Sequence, residues 1–179
     1  MPTPSPFSRG WNTRVVRPLL LVAALYPCWL GMMAVHEAGH VLHAWASGGK
    51  VAAVHVPLVG FSITRLASNP HPLFVAWGGV VWGGLIPLAA WAVLQRLRLQ
   101  DRGSSQFFAG FCLVANGAYV GIGWTMRAGD AADLIRHGTP VWVLVVIGAG
   151  ATCGGLLLWH LLGKNSSPPP SPPRTGERA

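Results

Sequence analysis

Acid is what this chain has least of. Only five of its 179 residues are Asp or Glu, and one charged residue in ten is all the sequence carries. A surface that poor in charge excludes an ordinary soluble domain, whose exterior needs far more. Cysteine is scarce too. Cys28, Cys112 and Cys153 all fall inside apolar runs, and no pair has the spacing of a thiolate metal site, so neither a disulfide framework nor a zinc-ribbon is expected. Internal repeats are absent. What remains is apolar: hydrophobic residues make up 51% of the chain, the composition of a polytopic membrane protein. The net charge of +8 does not point to nucleic acid. The basic residues cluster at the ends of apolar runs, where lipid head groups would meet them.

Four apolar segments, at about 18–45, 73–94, 107–126 and 141–162, are each long enough to cross a bilayer. A hydrocarbon core of roughly 30 Å needs about 20 helical residues. The first segment follows a basic N-terminal arm (1–17, expected to be flexible) and continues without a small-residue cleavage site, so it reads as a retained span rather than a signal peptide. The Pro-rich stretch 164–179 is expected to be disordered. Residues 50–65 have another texture. Gly48-Gly49 ends the first helix, and β-branched residues then flank a turn region from Pro57 to Gly60, predicting a small β-hairpin. An open sheet edge cannot face lipid, so this hairpin must lie at the interface or against the helices. The fold expected is an all-α membrane protein of about four transmembrane helices with a small β-hairpin after the first, membrane-embedded over 18–163.

Lys and Arg counts suggest a topology. With the N-terminus cytoplasmic, nine basic residues fall on that side, from Arg9 to Arg178, and four (Lys50, Arg65, Arg127 and Arg136) on the other. The bias puts both termini in the cytoplasm of a multi-pass integral protein. Tryptophans such as Trp11, Trp77 and Trp142 lie near span ends, as an interfacial belt would. Gly79-x-x-x-Gly83, Gly117-x-x-x-Gly121 and Gly150-x-x-x-Gly154 permit close helix contacts, within the fold or across a homodimer.

Inside the first segment stands His36-Glu37-Ala38-Gly39-His40. Positions i and i+4 share a helix face, so both histidines can point at one metal ion, with Glu37 beside them as a base for water. Ionisable groups at membrane depth are costly, which makes them functional by default. A pair of hydrogen-bonded core histidines is the plain alternative. Catalytic zinc takes a third protein ligand. No later Glu is in reach, since the next is Glu177 in the tail; His43, His55, His71, Asp130, Asp133, His137 and His160 remain open. His43 lies on nearly the same stripe as His36 and His40, which rarely closes a tetrahedron, so it reads as packing or as support for the ligands. With four spans, the ends of the first and third emerge on one side, so Asp130 can reach the motif. Asp130 otherwise reads as a helix N-cap, with Asp133 as its dipole partner.

The membrane-embedded HEAGH, the hairpin after it, the Gly78-Gly79 span and the late Gly129-Asp130 together resemble the site-2 protease family of intramembrane zinc metalloproteases, over roughly residues 20–140. The resemblance implies Zn2+ held by His36, His40 and Asp130 (Asp133 as the alternative third ligand), Glu37 as catalytic base, and Asn116 as the counterpart of the family's Asn upstream of the Asp, binding substrate or supporting a ligand. Asn116 otherwise reads as an interhelical hydrogen-bonding residue. Asp130 is followed by Ala131 where the family has Gly, and there is no PDZ-like insertion. The implied activity is hydrolysis of peptide bonds in a membrane protein or peptide substrate within the lipid bilayer, with the hairpin holding an unwound substrate strand. Two rivals accompany it: a non-catalytic metal-binding regulatory partner, and a haem-binding membrane protein using His36, His40, His43 and His160.

Overall fold

The computed structural model describes residues 13–98, 102–127 and 129–165. In chain order they form α1 (Thr13–Ala46), strands β1 (Lys50–His55) and β2 (Ile63–Ser68), α2 (Pro72–Arg96), α3 (Arg102–Gly123), a 3₁₀ turn (Trp124–Met126), α4 (Gly129–Arg136) and α5 (Val141–Asn165). Four helices are long and apolar enough to cross a membrane: Pro18–Ala46, Pro72–Arg96, Gly103–Met126 and Val141–Lys164. This is a helical membrane protein with a small antiparallel two-stranded sheet.

Boundaries differ from expectation at four places, the first being α3, which starts at Arg102 rather than about 107. Helix α1 already includes 13–17, part of the expected arm, and α5 continues through Lys164 and Asn165 before the Pro-rich stretch. The rest of the arm and the tail from 166 lie outside the described residues. The hairpin runs on to Ser68: Lys50 lies opposite Ser68 in the same register as His55 opposite Ile63, with a local irregularity at Val51, which lies opposite Leu66.

Local chemistry places the ends. Gly48, at φ +75°, takes the left-handed position after α1, while Gly49 N–H donates to Ala44 O over 2.7 Å. Pro72 opens α2, where a missing N–H costs nothing.

Glycine lets the helices meet. Gly39 of α1 and Gly78 of α2 cross backbone to backbone; a Cβ on Gly78 would come within 2.8 Å of the Gly39 carbonyl carbon. Between α3 and α5, Gly117 faces Gly148 and Gly110 faces Gly155 in the same way. Gly150, by contrast, has open space around its Cβ position. Helices α1 and α3 run in the same direction, and α2 and α5 run against them.

The hairpin folds back along α1 rather than lying flat at its end. Tyr26 Oη donates to Leu58 O over 2.9 Å, Phe61 sits edge-on to Trp29 at 5.9 Å, and Thr64 reaches Glu37. The tip so reaches about 16 Å along α1 from the level of Glu37, counting 1.5 Å per residue. Its side chains are apolar and open: Leu58, Val59 and Phe61 are 70%, 89% and 74% exposed.

A buried cluster of Ala76, Val80, Val120, Ala131, Leu134 and Leu144 joins α2, α3, α4 and α5. Leu134 and Ala131, both fully buried, plug the short α4 into this cluster and so fix where Asp130 stands.

Candidate metal centre

The motif lies on the last third of α1, with His36, Glu37 and His40 all buried. Each imidazole is oriented by its Nδ1. In His36 that nitrogen is 2.7 Å from Asn116 Oδ1; in His40 it is 2.8 Å from Val75 O. A carbonyl oxygen only accepts, so Nδ1 carries the proton in both rings. The Asn116 amide is itself oriented, because its Nδ2 donates to Cys112 O over 2.9 Å. Each Nε2 therefore offers a lone pair when its ring is neutral and a proton when the ring is charged, and the two stand 3.2 Å apart.

Asp130 completes the group. Its Oδ2 stands 2.7 Å from His36 Nε2 and its Oδ1 3.3 Å from His40 Nε2. Burial pushes the Asp130 carboxyl up, but the hydrogen bonds and charges of His36 and His40 outweigh it and hold the group well below the usual carboxylate range. Among the described residues, His36, His40 and Asp130 form the one group of three such side chains whose ligand atoms lie within 4.8 Å of one another.

The donor chemistry fits a metal ion. Two imidazole lone pairs and a carboxylate converge with their outer atoms already hydrogen-bonded, the arrangement that metal-ligating histidines show. Without a proton or a cation between them these atoms repel. Donors of a tetrahedral zinc site, ~2.0–2.2 Å from the ion, stand about 3.3–3.5 Å apart; the 3.2 Å between the two Nε2 atoms and the 3.3 Å from His40 to Asp130 are close to this, while His36 and Asp130, at 2.7 Å, would have to part slightly. Gly79 backs the pair: a Cβ there would come within 2.5 Å of His36 Nε2 and against His40 Nε2.

Glu37 accepts a hydrogen bond from Thr64 Oγ1 of β2 at 2.5 Å. Tyr119, on α3, accepts the backbone N–H of Asp130 at 3.3 Å and sets its ring edge-on to His36, 6.1 Å between centroids. Neither Thr64 nor Tyr119 was expected from the sequence. Tyr119 had a signal, since it sits three residues after Asn116 and shares its helix face; Thr64 had none.

The other candidates are elsewhere. His43 stacks on Phe74, 4.0 Å between ring centroids, and its Nδ1 donates to Phe74 O over 2.6 Å. Asp133 pairs with exposed Arg136 at 2.6 Å. His55, His71, His137 and His160 do not join the group. The His36 and His40 Nε2 atoms, 3.2 Å apart, are too close to sit on opposite faces of one haem iron, where axial nitrogens stand about 4 Å apart.

Fold and site together define a helical membrane protein with a candidate three-residue metal centre beside a buried glutamate. Comparison with protein-family models, curated proteins and solved structures gives no match.

Proposed function

We propose that this chain is a zinc-dependent intramembrane endopeptidase of the site-2 protease type, hydrolysing peptide bonds of membrane-spanning substrates. The observation that carries the reading is the convergence of His36 Nε2, His40 Nε2 and the Asp130 carboxylate next to Glu37, with both Nδ1 protons committed elsewhere. A haem protein has no use for Glu37, and a regulatory relative would not need to keep it.

The chemistry follows from the groups present. Zn2+ on these ligands would polarise the scissile carbonyl and lower the pKa of the attacking water toward ~7. Glu37 takes the water proton as the new C–O bond forms. It hands that proton to the amide nitrogen as the C–N bond breaks, leaving a carboxylic acid, which keeps the second water proton until it ionises, and an amine. Thr64 holds Glu37 in place for both transfers. A substrate helix must unwind locally to expose its carbonyls, and the hairpin alongside α1 offers strand edges to hold it. The basic residues put both termini in the cytoplasm, and so the site near the opposite face.

The test is metal content of the detergent-purified full chain, with casein cleavage as an unspecific assay. About one zinc per chain is expected, lost in His36→Ala and Asp130→Ala. Glu37→Gln should keep the zinc and lose roughly 10²–10⁴-fold in rate. Wild-type protein without metal would sink the proposal. Metal with equal activity in Glu37→Gln would sink the mechanism.

A further inference from the structure

Hydrolysis of an amide also needs a hydrogen-bond donor for the carbonyl oxygen, which gains negative charge as water adds to the carbon. This requirement rests on the endopeptidase reading above, and the donors around the ligands can be counted against it. Both Nδ1 protons of the motif histidines go to Asn116 and to Val75 O. The Thr64 hydroxyl proton goes to Glu37. The Asp130 N–H goes to Tyr119.

Asn116 was expected to meet the substrate or to support a ligand, and its contacts are those of the second role. Its oxygen is spent on His36 and one N–H on Cys112 O. The amide also lies against Gly83 in the contact between α2 and α3, with only 4% of the residue exposed.

Tyr119 is different. Among the described residues its one hydrogen bond is accepted, from the Asp130 N–H, and no described group takes its phenolic proton. Its oxygen stands 3.3 Å from the backbone of the residue whose carboxylate completes the metal group. The ring lies edge-on to His36 and faces the exposed Phe61 of the hairpin, 6.5 Å between centroids and 24° between planes. The start of α4 is shaped around the hydroxyl: Gly129 has φ +62°, and a Cβ there would collide with Tyr119 Oη. The ring is only half-buried, unlike Asn116.

We infer that Tyr119 is a catalytic residue whose hydroxyl donates a hydrogen bond to the scissile carbonyl oxygen. No proton is transferred. The phenol keeps its O–H bond and stabilises the charge that builds on the oxygen. A rigid donor of this kind is worth roughly 10²–10³-fold in rate.

The alternative is that Tyr119 only caps Asp130 and positions the ligand. Cobalt replacement of the metal in the full chain separates the two, because the visible Co2+ bands report the ligand field without any turnover. Acetohydroxamate places an anionic oxygen beside the metal; 2-mercaptoethanol places sulfur there and offers no such oxygen. In Tyr119→Phe we expect unchanged Co2+ bands, unchanged thiol affinity and acetohydroxamate binding weakened about tenfold, the loss of one charge-assisted hydrogen bond. Equal acetohydroxamate affinity in both proteins would overturn the inference. Altered Co2+ bands or lost Co2+ in Tyr119→Phe would overturn it in favour of ligand positioning. Wild-type protein that takes up no Co2+ would remove the metal reading itself, and this inference with it.

Discussion

Thr64 donates its hydroxyl proton to Oε2 of Glu37 across 2.5 Å, tying strand β2 to the helix that carries both histidines. A hairpin and a buried carboxylate are thereby one unit. Whatever moves the hairpin moves the group proposed as the base.

Thr64→Val removes that donor while keeping the side-chain shape. A hydrogen bond to a charged acceptor contributes about 1.5–3 kcal/mol, so casein cleavage should fall by about 10- to 100-fold. Zinc content should stay unchanged, since the Thr64 hydroxyl bonds Glu37 and not His36, His40 or Asp130. Thr64→Ser should restore most of the rate. Lost zinc in Thr64→Val would show that the hairpin supports the metal group instead.

Asn116→Ala frees the Nδ1 of His36 from its only oriented acceptor. The ring can then turn or change tautomer, and partners of this kind typically contribute 10–100-fold to metal affinity. Competition with a chelator of known zinc affinity measures the change. An affinity equal to wild type would mean that packing alone orients His36.

Gly79→Ala and Gly150→Ala make a matched pair on two membrane-spanning helices. The first puts a methyl group onto the Nε2 atoms of His36 and His40; the second finds nothing within 4 Å. We expect Gly79→Ala to lose metal, and Gly150→Ala to keep it with stability unchanged or raised by up to ~1 kcal/mol from helix propensity. Thermal denaturation and metal content read both. Metal retained in Gly79→Ala would mean that α1 and α2 can separate there.

Leu134→Ala tests whether α4 is held by its plug. Removing a fully buried leucine should cost about 2–5 kcal/mol. Because Asp130 rides on the same helix, zinc affinity should fall as well. A destabilised protein with full zinc affinity would show that the histidines alone position Asp130.

Acid should act on the metal-stripped chain in a definite window. The Asp130 carboxyl lies well below the usual carboxylate range, since His36 and His40 outweigh its burial. An acid depressed by folding stabilises fully above its unfolded pKa, about 3.9, and that stability is lost as pH falls through the lower folded value. The stability difference between wild type and Asp130→Asn should therefore be flat from about pH 6, where the unfolded histidines are also protonated, to about 4 and shrink below it. A difference already shrinking near pH 6 would place the Asp130 carboxyl above that range.

The sequence alone determined what local pattern can carry. Four apolar segments of bilayer length, the hairpin after the first and the i, i+4 histidines are read from neighbouring residues, because helix period and span length are local properties. So was the reading of His43 as packing or support for the ligands, since it shares a stripe with the other two histidines. The third candidate ligand was a choice among seven residues, and only the fold brings Asp130 to His36 across 94 positions. Asn116, 80 positions from His36, was noticed for its polarity in an apolar span, but its acceptor role depends on how α1 and α3 meet. Thr64 is an unremarkable strand residue until the hairpin lies down along α1. These are contacts between elements, set by glycine crossings and by the plug of Leu134, and no local periodicity encodes which helix faces which.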